Sequence, residues 1–94
     1  MAQNFAKGSA ITVGTAVGSI DPAWAANYGY AVFQVQGQSI RFRMDGGTPV
    51  AGTAGFIGSV GDVWELQEQD IIDFRYVRDG GTDGIIWVAL ADRG

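Results

Sequence analysis

Ile40-Arg-Phe-Arg-Met-Asp-Gly-Gly-Thr-Pro49 decides the fold, together with Asp70-Ile-Ile-Asp-Phe-Arg-Tyr-Val-Arg-Asp-Gly-Gly-Thr-Asp-Gly-Ile-Ile-Trp-Val88. Each couples strand-like alternation to a glycine-rich turn. From Ser39 to Met44 the apolar side chains Ile40, Phe42 and Met44 fall on one side, and Arg41 and Arg43 on the other. One apolar and one charged face is the signature of a half-solvated antiparallel strand, the wall of a sandwich or barrel.

Working outward from this strand, Ala31–Gln36 sets Phe33 and Val35 on one face and Val32, Gln34 and Gln36 on the other. Gly37-Gln38 then reads as a two-residue turn, so a hairpin is predicted between this segment and Ser39–Met44. After Pro49, glycines fall at positions 52, 55, 58 and 61. That spacing imitates collagen, but a few triplets without proline cannot sustain a triple helix. A short strand at Phe56-Ile57, a Gly61-Asp62 turn and a strand at Val63–Gln67 follow instead. In Ile71–Arg78, a further predicted strand, Ile72, Phe74 and Tyr76 share a face. Asp79–Gly84 makes a hairpin loop. Ile85–Leu90 is apolar on both faces, which predicts a central strand or one lying against another subunit.

Toward the amino terminus, Ala10–Val17 is rich in β-branched residues and reads as a strand. Asp21 before Pro22 predicts a capped helical turn over 22–27. Residues 1–9 carry no periodic signal and are expected to be a flexible arm, with Phe5 as its docking side chain. The expectation is all-β: a single small antiparallel β-sandwich or barrel over residues 10–94, with about seven to eight strands at the spacing such folds use.

With 94 residues, 47% hydrophobic, the chain has room for one core and is too apolar to be disordered. Fifteen glycines against two prolines mean many tight turns. A net charge of −4 argues against a phosphate-tracking face, hence against nucleic acid as a partner. No window reaches the ~18 apolar residues of a membrane helix, and the first residues lack a secretory pattern. A soluble protein made in a cytoplasm, with no membrane partner, is expected.

The chain has neither histidine nor cysteine, which removes Ser-His and Cys-His nucleophile pairs, disulfides and thiolate metal sites. Asp62, Glu65, Glu68, Asp70 and Asp73 cluster in sequence, but acids at turns and strand edges ordinarily keep a domain soluble. Asp79–Gly84 imitates a calcium loop and fails it, with Leu90 where a bidentate Glu is required. No phosphate-binding glycine motif opens a helix. No catalytic, cofactor-binding or metal residue is assigned; a non-enzymatic protein without a small-molecule substrate is expected.

Arg41, Arg43, Arg75 and Arg78 among Tyr28, Tyr30 and Tyr76 could form a basic stripe, but Asp45, Asp73 and Asp79 lie near enough to pair with them across strands. An ion-paired sheet face, partly interface-forming, is the reading adopted. Trp24, Trp64 and Trp87 could stack on sugars; in so small a chain they read as core or interface anchors. The candidate interface is Phe5, Trp64, Arg41, Arg43, Arg75, Ile86 and Val88.

The run Ile40–Pro49, then Gly55, Asp62-Val-Trp-Glu-Leu66, Ile72-Asp-Phe-Arg-Tyr-Val77 and Gly81-Thr-Asp83 resembles small virion proteins of tailed bacteriophages, over about the last sixty residues. The resemblance implies a one-domain β-sandwich encoded among head and neck genes. Its implied role is a decoration or cement protein that binds and stabilises the capsid surface. The implied partners are the major capsid protein and copies of itself, in a homo-oligomer such as a trimer; the implied location is the virion, after synthesis in the host bacterial cytoplasm. The alternatives are a tail or head-fibre module that recognises host-surface glycans, and a neck or tail structural component.

Overall fold

The alternation in sequence becomes two antiparallel sheets of four strands each. The computed structural model describes the backbone of residues 5–91 and the side chains of residues 7–91. In chain order the elements are β1 (Phe5–Val13), β2 (Gly18–Ser19), α1 (Pro22–Asn27), β3 (Tyr30–Gln36), β4 (Ile40–Arg43), β5 (Phe56–Gly58), β6 (Val63–Gln67), α2 (Gln69–Asp73), β7 (Arg75–Arg78) and β8 (Gly84–Ala91). The first sheet runs β1-β8-β3-β6 and the second β2-β7-β4-β5. The chain is a small all-β sandwich.

On β3 and β4 the inward positions are those the alternation marks; on β6 and β8, to which the sequence assigned no inward face, the structure selects them. Phe33 and Val35 of β3, Ile40 and Phe42 of β4, Leu66 of β6, Tyr76 of β7, and Ile86, Val88 and Leu90 of β8 are buried. At the centre Phe42 meets Phe33 edge-on at 5.2 Å, Phe74 at 5.7 Å and the Trp64 ring at 4.9 Å. Such edge-to-face pairs add about 0.5–1.5 kcal/mol each beyond the area they bury.

The connections depart from the expected hairpins. β3 pairs with β6 and β8, whereas β4 pairs with β5 and β7. The link at 37–39 is therefore a crossing between sheets, and so is the link from β7 to β8. Three extended residues span about 10 Å, the distance between packed sheets. Phe33 and Phe42 thus meet edge to face across the sandwich instead of lying side by side. The two crossings are neighbours, with the Asp79 amide donating to the Ser39 carbonyl at 3.3 Å. Apart from β4–β5, every link between consecutive strands changes sheet.

Two further differences are local. β1 begins at Phe5, so residues 5–9, expected in a flexible arm, pair with β8 from Phe5↔Ala91 onward; residues 1–4 lie outside the described residues. Ile71–Asp73, expected as strand, belongs to α2, which follows Glu68 at φ 51°. Ile71 of this turn is buried in the core and Ile72 points outward. The capped turn stands as expected: the Asp21 carboxylate accepts from the Ala23 amide at 2.9 Å, with Pro22 in the first helical turn. The Gly61-Asp62 turn is also present, closed by the Asp62 amide on the Ser59 carbonyl and the Ser59 amide on the Asp62 carboxylate, both 2.9 Å.

β2 passes its neighbour closely: a Cβ at Gly18 would enter the Tyr76 ring. That ring, 6% exposed, sends its hydroxyl to the Ser19 carbonyl at 3.1 Å.

Candidate interaction surface

The two sheets end on one side in β5 and β6, edge strands that follow each other in sequence. Glycines at 55, 58 and 61 leave this segment without enough inward positions for its apolar side chains. Phe56 is 53% exposed, Ile57 50%, Val60 57% and Val63 62%. Phe56 nevertheless rests on the core, 5.8 Å from the Phe42 ring and 5.9 Å from Trp64. Beside it lies an open groove of about 350 Å³ lined by Arg43, Met44, Asp45, Gly55 and Phe56. Gly55 has no substitute there: its φ is +115° and a Cβ would stand 2.7 Å from the Phe42 carbonyl oxygen. Exposed apolar side chains gathered at two sheet edges, with Ile57 on the outer side of the second sheet and Val63 on that of the first, are the kind of surface that other protein chains cover.

Of the arginines expected on one face, Arg41, Arg43 and Arg75 share the outer side of the second sheet, whereas Arg78 stands opposite the buried Ile40 on the other parity; each is held by its own chain. Arg41 Nε donates to Asp79 Oδ1 at 2.9 Å and its Nη1 to the Gly55 carbonyl at 3.3 Å. Arg43 grips Asp45 with two bonds, Nε to Oδ1 at 2.9 Å and Nη2 to Oδ2 at 2.6 Å. Arg75, opposite Arg43 across the β4–β7 pair, donates to the carbonyls of Ile72 and Phe74 at 2.8 and 3.0 Å. Arg78 meets Asp83 at 2.8 Å. The ion-paired face is present with changed partners: Asp45 pairs within its own strand end, and Asp73 takes none of these arginines. Asp79, from the 79–84 loop, pairs across strands with Arg41 as expected, and it also accepts from the Gly52 amide at 3.0 Å.

These contacts set the charges. The Arg43 fork, with the Gly47 amide, lowers the Asp45 pKa from 3.8 to about 2, and Asp45 in turn raises that of Arg43. The Gly52 amide first, then Arg41, lowers that of Asp79. The Tyr30 hydroxyl donates to the Glu65 carboxylate, which raises the tyrosine pKa.

Ile86 and Val88, expected at an interface, are core residues with no exposed surface. β8 is central, between β1 and β3, and its opposite parity faces outward: Ile85, 40% exposed, and Trp87, 47% exposed. Trp87 leans over Gly8 of β1, where a Cβ would lie 3.2 Å from the indole, and its cross-strand neighbour on β3 is Gln34. Trp64 is half-buried at the β5–β6 side, its indole N–H enclosed without a hydrogen-bond partner among the described residues. Trp24 packs on the core under the Lys7 ammonium, 4.4 Å from its ring centre. The Phe5 side chain lies outside the described residues. Of the candidate interface, Trp64, Arg41 and Arg43 thus adjoin the β5–β6 strip, while Phe56, Ile57, Val60 and Val63 were missed. The available signal was the excess of apolar residues in a glycine-rich run too irregular to bury them all.

Among the described residues no group of three or more acidic side chains is placed to hold a metal, and no helix is long and apolar enough to cross a membrane. Comparison with protein-family models, curated proteins and solved structures returns no match.

Proposed function

We propose that this chain is a non-enzymatic structural protein of a phage particle, a decoration or cement protein that binds the capsid surface and works as a homo-oligomer. The observation that carries a binding role is the exposed strip Phe56, Ile57, Val60 and Val63, seated on a rigid aromatic core and bordered by ion-paired arginines. Apolar anchors within a polar rim suit protein contacts. The virion setting rests on the resemblance of the Ile40–Asp83 segments. The strip would lie against the major capsid protein, repeated by symmetry so that modest contacts add through avidity. Capsids depleted of the protein should bind it, and the double variant Ile57→Asp, Val60→Asp should fold but lose that binding at least tenfold. A folded wild-type protein that ignores depleted capsids overturns the reading. Copy number per purified particle separates the shell, where hundreds are expected, from the neck or tail, where about six to twelve are expected from closed symmetry.

Trp87 favours a second reading, recognition of host-surface glycans. Its half-exposed ring beside Gln34 and Gln36, which bond to each other at 3.2 Å, offers stacking and amide groups to a sugar. Trp64, half-buried in the core side, gives that reading no support.

A further inference from the structure

Four strand edges bound the two sheets, and they are not equally guarded. In the second sheet the edges β2 and β5 have two and three residues, too short to template a partner strand. In the first sheet the edges are β1, nine residues, and β6, five residues. From Gly8 to Val13 β1 carries neither charge nor proline. Among the described residues its one strand partner is β8, and that of β6 is β3. Open edges of this kind pair with another strand unless something blocks them.

We infer that copies of this chain join head to tail, the β1 edge of one pairing with the β6 edge of the next so that the first sheet continues between molecules. The inference deepens the self-association in the proposed function and needs no capsid. Strand direction permits it. Each neighbouring pair in β1-β8-β3-β6 is antiparallel, so β1 and β6 run oppositely within one molecule, and a copy set alongside in the same orientation offers an antiparallel partner.

Side-chain size favours it as well. Rows across the sheet read Gly8–Ala89–Val32–Glu65, Ser9–Val88–Phe33–Trp64 and Ala10–Trp87–Gln34–Val63. Continued into the next copy, these rows set the small Gly8, Ser9 and Ala10 against its large Glu65, Trp64 and Val63. The two self-pairings are less suited. β6 on β6 brings Glu65 of both copies together at the centre of a five-residue strand, a like-charge contact. β1 on β1 leaves both β6 edges unpaired, whereas head-to-tail pairing covers β1 and β6 in one contact.

Sedimentation equilibrium of the full chain without capsids tests this. Wild type should give a multiple of the 9.9 kDa chain mass. Ala10→Asp spoils β1 and Val63→Asp spoils β6, both at exposed positions on the outer face. Each variant alone should keep its circular dichroism and fall to monomer. An equimolar mixture should form a 1:1 dimer through the remaining good edges, and the double variant should stay monomeric when mixed with itself. A wild type that is monomeric at its highest soluble concentration overturns the inference. So does an assembly abolished by one variant and untouched by the other, the pattern of self-pairing. Loss of capsid binding with head-to-tail assembly intact would count against the proposed function alone.

Discussion

Phe42 joins more of this molecule than any neighbour along its strand. Its ring touches Phe33, Phe56, Trp64 and Phe74, which come from both sheets and from the end of α2. Phe42→Ala would remove every one of those contacts and leave a cavity in a fully buried site, so a loss of about 3–5 kcal/mol is expected from urea unfolding. Ile57→Ala, half exposed on the adjacent edge strand, should cost far less, and the pair of values distinguishes core from surface. The role of Phe42 was legible in the sequence from strict alternation between two arginines. That of Phe74 was legible as a buried position, but its place at the end of a helix was not.

At the scale of elements, the long link from β4 to β5 owes its position to one carboxylate. Asp79 holds Gly52 of that link and Arg41 of β4 at once, while Pro49 is fully buried and Val77, on the outward side of β7, is 6% exposed. The link therefore covers the outer face of the second sheet where Val77 would otherwise meet water. Asp79 and Asp45 both have folded-state pKa values below the ordinary carboxylate value, Asp45 near 2. A group depressed in this way stabilises the fold above its unfolded pKa and loses that contribution as pH falls through the folded one. Stability should thus be flat near neutrality and decline from about pH 4 toward pH 2. Asp79→Asn should reduce that decline and raise amide exchange in residues 50–54 at pH 7; unchanged exchange would mean that Asp79 does not hold the link. Asp45 is exposed, so solvent screens its share. Helix α1 was readable because Asp21 and Pro22 specify a helix start locally. Helix α2 was not, because Ile71-Ile72 has strand propensity and its helical turn follows from the burial of Ile71.

The whole molecule is laced together by its connections. Since nearly every link changes sheet, neither sheet can be completed before the other exists. Unfolding should be a single cooperative transition, with tryptophan fluorescence and far-ultraviolet circular dichroism giving coincident curves. Folding should fall in the millisecond-to-second range of chains rich in long-range contacts. Separate midpoints for the two probes would show that one sheet survives alone.

By itself, the sequence determined the class of fold, the inward faces of β3 and β4, the capped helix at Pro22 and the lack of histidine and cysteine chemistry. These depend on side-chain period and on local turn chemistry, which neighbouring residues suffice to specify. Which strands share a sheet, whether a turn makes a hairpin or a crossing, and which face of β8 is exposed were decided by tertiary structure alone. A Gly-Gln turn can serve either connection, and burying Phe33 against Phe42 across the sandwich selects the crossing. The surface at Phe56–Val63 has the same origin: its residues are apolar in any fold, and only the position of β5 and β6 at the two sheet edges leaves them facing water.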